Sequence, residues 1–212
     1  MRKYTFGEIL ELPDRFRRSF INSLHGLRPA LLLGSRSADG HENLAIFSQI
    51  LHIGANPPLT GVLFRPDTVE RHSLQNIRET GFFTLNNVTE EMAEAAHQTS
   101  ARYPRAQSEF KAVQLKAQYK DDFTAPFVES STIQIGLKLQ SEMPIDANGT
   151  ILVIGKIEVI YLPENAQSED GLVRHHIAGS LAAAGLDMYF SPQPLARFSY
   201  AKPDLPLKNI EY

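Results

Sequence analysis

The sequence contains no cysteine. This absence excludes disulfide bridges, thiolate nucleophiles, iron–sulfur clusters and zinc sites built on cysteine. No stretch approaches the roughly 20 consecutive apolar residues that a membrane-spanning helix needs. Residues 1–8 carry positive charge but no apolar run follows them, so they lack the pattern of a signal peptide. We therefore expect a soluble cytoplasmic protein without a membrane partner.

An excess of charge of one sign is also lacking. The chain has 21 basic and 24 acidic residues, and its net charge is −3. So small a charge gives no general attraction for nucleic acid, and the aromatic residues are not interleaved with lysine or arginine. The apolar content of 42% and the charged content of 21% are ordinary for a globular protein. We expect a single domain over residues 1–212, with an N-terminal helix and a C-terminal wrapping segment.

Familiar catalytic and metal-binding motifs are missing as well. There is no H-E-x-x-H or G-x-S-x-G motif and no glycine-rich nucleotide loop. The adjacent residues His175 and His176 would point in different directions in regular structure, so we expect no metal site there. No catalytic acid–base pair is predicted.

What the sequence does have is alternation between short apolar runs and turn signals. Apolar residues Phe16, Phe20 and Leu24, four apart after Pro13, predict an amphipathic helix. Three strands are predicted next, at 30–35, 44–53 and 59–64. The turn Asp39-Gly40 joins the first two, and the short connections indicate an antiparallel meander rather than β–α alternation.

The remainder of the chain mixes helices and strands. Helices are predicted at 68–80, 89–96 and 108–113, and strands at 82–85, 133–139 and 151–162, with a turn at 146–149. Ala182, Ala183 and Ala184 suggest the end of a helix, with Gly185 as its left-handed cap. About six strands with helices between them indicate a mainly β protein, a closed barrel with helical insertions.

One candidate site follows the third predicted strand. Its residues are Arg65, Thr68, Arg71, His72 and Ser73. If Thr68 caps the helix that begins there, the first-turn N–H groups, the cations and the hydroxyls suit a phosphate. Asp67 opposes this interpretation, because a carboxylate repels a phosphate. An ordinary capped surface helix explains the pattern equally well.

A second candidate lies in the strand that contains Ile46, Phe47, Ser48 and Gln49. Ser48 and Gln49 are polar residues in an otherwise apolar strand. Buried hydroxyl and amide groups need hydrogen-bond partners. A flat heterocycle with ring nitrogens and carbonyls would provide them, and so would neighbouring backbone.

The order of these features is more informative than any one of them. The matching residues are Arg28-Pro29, 31–35, Asp39-Gly40, 43–45, Ser48, 56–59, 64–66, Thr68, His72-Ser73, Asn76-Ile77, 79–83 and Asn86. In this order they resemble the flavin reductase-like FMN-binding split-barrel family. The resemblance covers residues 20–90 well and continues loosely through Phe110, Ala125-Pro126 and Gly155.

The resemblance implies a mainly β Greek-key split β-barrel with helical insertions that forms a homodimer and binds one FMN per subunit. The flavin ring would lie against Ile46, Phe47, Ser48 and Gln49, with Gln49 in place of a usual hydroxyl residue. The FMN phosphate would be held by Arg65, Thr68, Arg71, His72 and Ser73.

The activity implied by the family is NAD(P)H-dependent flavin reduction. A hydride would pass from NAD(P)H to flavin N5, and electrons would then reach a small-molecule acceptor or a partner monooxygenase. A flavoredoxin-like electron carrier without a nicotinamide site is the alternative. A non-catalytic protein that binds FMN or another planar ligand is the third possibility.

Overall fold

The computed structural model describes residues 1–210. The helices are α1 (Phe6–Glu11), α2 (Asp14–Ser23), α3 (His72–Thr80), α4 (Ala93–Gln98) and α5 (Glu109–Ala112), with 3₁₀ turns at Glu90–Met92 and Glu164–Ala166. The strands are β1 (Arg28–Pro29), β2 (Leu31–Arg36), β3 (Glu42–Phe47), β4 (Ile50–Ala55), β5 (Pro58–Phe64), β6 (Phe82–Asn87), β7 (Ala117–Gln118), β8 (Phe127–Val128), β9 (Gln134–Ile145), β10 (Thr150–Tyr161), β11 (Ala182–Ala184) and β12 (Met188–Phe190). Within residues 1–210, none of the helices has the length and apolar character to cross a membrane.

A seven-stranded antiparallel sheet forms the body of the protein. Its strand order is β3-β2-β6-β9-β10-β5-β4. α1 and α2 precede the strands, whereas α3, α4 and α5 lie in the connections between strands of this sheet. A smaller sheet of order β1-β11-β12 joins residues 28–29 to residues 182–190. The prediction of a mainly β protein with helical insertions is confirmed.

The predicted strand at 44–53 is not one strand, and this prediction was wrong. β3 pairs with β2, with Phe47 opposite Leu31, whereas β4 pairs with β5, with Ile50 opposite Val62. β3 and β4 therefore lie at opposite ends of the sheet although residues 48–49 alone join them. At residues 48–49 the chain passes from the pair β2–β3 to the pair β4–β5, and both of these connecting residues are polar.

Alternating side chains of β2 enter two separate cores. Leu33 packs in the core of the sheet with Val62, Phe83 and Leu137. Its neighbour Leu32 faces the other way, into a cluster formed with Leu44, Met92, Phe110 and other residues. Successive strand residues point to opposite faces, so a strand covered on both sides is apolar throughout. The helical insertions are thus held by the same strand that lines the sheet core.

The alanine run near the C-terminus is a strand and not a helix end, which corrects that prediction. Ala183 lies opposite Arg28 of β1 and opposite Tyr189 of β12. Gly185 does have a left-handed backbone, with φ of 65°, but it forms the turn between β11 and β12. β1 offers an unpaired edge, and pairing with it satisfies the backbone groups of the alanine run.

Candidate functional site

A cleft of about 500 Å³ opens where β3 and β5 end beside the start of α3. Eight of the nine residues predicted to bind a ligand line it: Ile46, Phe47, Ser48, Gln49, Arg65, Arg71, His72 and Ser73. Residues 99–103 also line the cleft, as do Asn43, Glu70 and Glu109. The two candidate sites inferred from sequence are therefore two parts of one cleft.

Thr68 is the ninth predicted residue, and it does not line this cleft. It lies in a neighbouring hollow of about 230 Å³ with Asp67, Gln75 and Arg78. The prediction that Thr68 caps the helix was wrong, because α3 begins at His72 and its N-cap is Arg71. Residues 67–69 form a bend before the helix.

The strand-end wall presents polar groups without protein partners. Ile46 and Phe47 anchor this wall, since Ile46 packs on the helical cluster and the Phe47 ring lies 4.9 Å from that of Phe64. The backbone carbonyl of Gln49 accepts a hydrogen bond from Leu63 at 3.0 Å. The side chains of Ser48 and Gln49 make no hydrogen bond within residues 1–210. Their donors and acceptors are available to a ligand in the cleft.

The start of α3 forms a second wall, which favours an anion. Arg71 is the N-cap residue, and its side chain does not cap the helix, because its Nε donates a 3.3 Å hydrogen bond to the Pro66 carbonyl instead. The first-turn N–H groups therefore have no side-chain acceptor from the N-cap residue. The Ser73 hydroxyl accepts a bond from Asn43 Nδ2 at 2.8 Å, which fixes the helix against β3. The unpaired N–H groups and the helix dipole place partial positive charge at this end.

Three guanidinium groups lie at the same end of the cleft, near the start of α3. Burial lowers the pKa of Arg71, and repulsion from Arg65 and Arg102 lowers it further, while Asp67 acts in the opposite direction. Arg65 and Arg102 are exposed and make no hydrogen bond or ion pair with the described residues. Asp67 is itself bonded to Arg78 at 3.3 Å. Guanidinium groups in this arrangement can form charge-assisted hydrogen bonds with an anion.

The carboxylates of Glu70 and Glu109 partly offset this positive charge. The His72 Nε2 atom is buried without a hydrogen bond among the described residues, and the Glu70 carboxylate lies 3.5 Å from it. Glu109 is only 6% exposed, and its Oε2 accepts a hydrogen bond from the Leu44 backbone N–H at 3.0 Å. Burial raises the pKa of Glu109, although the Leu44 bond and the charge of His72 oppose the rise.

Sequence reasoning did not identify Asn43, Arg102, Tyr103 or Glu109 as lining residues. Arg102 and Tyr103 lie about thirty residues beyond the other cations, in an irregular segment with no recognisable pattern. Glu109 begins a predicted helix, where an acidic residue is ordinary because it favours the helix dipole. Only the folded chain brings these residues to the cleft.

The chain matches the family described as flavin reductase like domain over residues 27–181. It belongs to this family. The flavin reductase-like domain thus covers β1 to the residue before β11, and it contains the whole cleft. The sequence resemblance is confirmed, and membership supports a flavin-related oxidoreductase function.

Solved structures confirm the split barrel. A split-barrel protein from Shewanella frigidimarina, provisionally assigned as a flavin reductase, is 41% identical with a TM-score of 0.91, over 95% of this chain and 100% of that chain. Nitrilotriacetate monooxygenase component B from Bacillus cereus is 20% identical with a TM-score of 0.81, over 93% and 98% of the two chains. Flavoredoxin of Desulfovibrio vulgaris is 19% identical with a TM-score of 0.68, over 84% and 92%. The last two likenesses concern the fold alone.

The curated relatives are more distant. An uncharacterized protein of Halalkalibacterium halodurans is 28% identical over 124 residues, which are 58% of this chain. The match spans 59% of the length of that relative. This similarity supports common ancestry over the matched length and adds nothing about substrates.

Proposed function

We propose that this flavin reductase-like protein binds FMN in the cleft, reduces it with NAD(P)H and passes the electrons to a second acceptor. The observation that carries the proposal is the composition of the cleft. One wall has unpaired hydroxyl and amide groups at Ser48 and Gln49, and the other has the guanidinium groups of Arg65, Arg71 and Arg102. A planar heterocycle that carries a phosphate matches both walls.

The phosphate of FMN fits the cationic end. Arg65 and Arg71 supply charge-assisted hydrogen bonds, and the start of α3 adds N–H groups around Ser73. The buried His72 Nε2 atom, which has no hydrogen bond within residues 1–210, gains an acceptor there. Thr68 keeps no direct role in this arrangement, because it lies in the neighbouring hollow.

The flavin ring fits the strand-end wall. Ser48 and Gln49 offer one hydroxyl and one amide to the carbonyl and nitrogen edge of the ring, and Ile46 and Phe47 hold these two residues in place. When bound, FMN supplies the hydride-accepting chemistry, and the protein supplies position and hydrogen bonds. The cleft needs no acid–base pair for hydride transfer itself, so the residues of this chain act by binding and orientation.

We also propose a homodimer. β4 is an end strand of the large sheet, and its Leu51 and Ile53 side chains are exposed. An uncovered apolar end strand is a natural pairing surface. Light scattering of the purified protein tests this part: a monomer mass at micromolar concentration contradicts it.

The function itself is tested by the visible spectrum of the purified protein and by release of its chromophore with heat. We expect oxidised-flavin bands and FMN in the supernatant, followed by anaerobic bleaching when NADH or NADPH is added. FMN that does not bleach supports the flavoredoxin-like carrier. A colourless protein that takes up neither FMN nor riboflavin overturns both functions.

The final acceptor is part of the same proposal. A free small molecule such as a second flavin, or a partner monooxygenase, would accept the electrons. Reduction of added free flavin in the absence of any other protein favours a small-molecule acceptor. Bleaching of the bound flavin without continued oxidation of NAD(P)H favours a partner monooxygenase.

A further inference from the structure

Glu109 is a buried carboxylate inside a cleft built for an anion. Its side chain is 6% exposed, it lines the cleft, and it is held in place by the Leu44 backbone N–H at 3.0 Å. α5 packs on β3, so Glu109 cannot turn away into solvent without losing this bond. A fixed negative charge at this place opposes binding of a phosphate.

The charges that line the cleft nearly balance, with Glu109 counted among them. The titratable groups that share the cleft with it are Arg65 at the end of β5, Glu70, Arg71 and His72 at the start of α3, and Arg102 and Tyr103 in the segment 99–103. β3 contributes the neutral residues Asn43 and Leu44, and Lys111 on α5 faces a different hollow. Three guanidinium groups against two carboxylates leave one positive charge, with His72 left out of the count. A phosphate monoester carries about two negative charges at neutral pH.

We propose that Glu109 takes up a proton when a phosphorylated flavin binds, and that it thereby sets how strongly the cleft prefers FMN to riboflavin. With Glu109 neutral, the cleft carries two positive charges, which match a phosphate dianion. This inference rests on the proposed FMN site.

A bound phosphate affects the ionisation of Glu109 more than that of Glu70, because the two carboxylates differ in their exposure to solvent. The Glu70 side chain is 77% exposed, so solvent screens its charge, whereas Glu109 is buried. Burial has already raised the pKa of Glu109, and a nearby phosphate raises it again because like charges disfavour ionisation. FMN binding therefore weakens as pH rises from the pKa of Glu109 in the empty cleft to its higher pKa in the loaded cleft.

The test is the dissociation constant of FMN from pH 5 to 9, measured by quenching of flavin fluorescence for the unmodified protein and for Glu109→Gln. The amide oxygen of glutamine can accept the same Leu44 N–H bond, so the variant keeps that contact. We divide the constant of the unmodified protein by that of Glu109→Gln. The FMN phosphate itself titrates near pH 6, and its effect cancels in this ratio. We expect this ratio to rise with pH by about tenfold for each unit by which phosphate raises the pKa of Glu109.

Two controls keep the test specific. Riboflavin lacks the phosphate, so its ratio should stay flat from pH 5 to 9. Glu70→Gln removes the exposed carboxylate of the same cleft, and its FMN constant should keep the pH dependence of the unmodified protein. A flat FMN ratio, or a pH dependence lost in Glu70→Gln instead, overturns the proposal.

Calorimetry supplies an independent measure, because it counts protons directly and does not depend on a ratio of dissociation constants. FMN binding measured in buffers of different ionisation enthalpy should show net proton uptake, and riboflavin binding should show none. Uptake that persists in Glu109→Gln assigns the proton to His72 and overturns the role of Glu109. Absence of FMN binding at every pH defeats the proposed function itself, whereas FMN binding with a flat ratio of the two constants defeats this inference alone.

Discussion

Asn43 on β3 donates a 2.8 Å hydrogen bond from Nδ2 to the hydroxyl of Ser73 on α3, and both side chains are buried. The bond joins two walls of the cleft. Ser73→Ala leaves the buried amide without this acceptor, so we expect the free energy of unfolding to fall by about 1–3 kcal/mol. Urea denaturation measures this loss. Ser100→Ala, at an exposed position on the same cleft, is the control and should change stability very little.

Arg65 should contribute to phosphate binding without contributing to the fold, because it makes no ion pair with residues 1–210. Arg65→Ala should raise the dissociation constant of FMN about 10- to 100-fold, as expected for loss of a charge-assisted hydrogen bond. Riboflavin affinity should hardly change. Equilibrium dialysis with both flavins measures this, with Arg15→Ala on the exposed face of α2 as the control. Unchanged FMN affinity in Arg65→Ala refutes the phosphate assignment.

Gln49, unlike Arg65, should not distinguish FMN from riboflavin, because it lies at the proposed position of the flavin ring, which both ligands share. Gln49→Ala should weaken FMN and riboflavin equally, by about two- to tenfold for one neutral hydrogen bond. The visible absorption bands of bound flavin should shift, because the hydrogen bonds at the ring change. Gln193→Ala, at an exposed position outside the cleft, should leave affinity and spectrum as they are. A selective effect on FMN would place Gln49 at the phosphate instead.

Gly34 lies where β2 passes directly beneath residues 125–128. A Cβ atom at this position would approach the backbone oxygen of Pro126 and lie 2.6 Å from Thr84 Oγ1. Neither neighbour can yield easily, because Thr84 Oγ1 donates a 2.6 Å hydrogen bond to that same oxygen. Gly34→Ala should lower the free energy of unfolding by about 1–3 kcal/mol or more. Gly7→Ala, where nothing lies within 4 Å, should not destabilise the protein.

Much of the fold could be predicted because its signals are local. β2, the turn at Asp39-Gly40 and the β9–β10 hairpin follow from apolar runs and turn residues that lie next to one another in the chain. Residues 48–49 and 65–73 could be nominated for the same reason, since each group is contiguous. Local chemistry was enough to suggest a ring-binding strand end and a phosphate-binding helix start.

What could not be predicted depends on partners distant in sequence. The division between β3 and β4 arises because Phe47 pairs towards Leu31 and Ile50 towards Val62, and no local pattern shows this change of partner. Ala183 is in a strand because Arg28 lies beside it, although an alanine run alone favours a helix. Arg102 and Glu109 belong to the cleft only through the packing of the segments that carry them.

The two-residue connection between β3 and β4 has a consequence for how such a protein can diverge. One residue inserted between Phe47 and Ile50 that slipped either strand against its partner would turn the side chains of that strand to the opposite face. The core of the sheet and the ligand-facing wall would be lost together. An exchange of one amino acid for another at constant length, for example at Gln49, changes the wall of the cleft and leaves both strand registers in place.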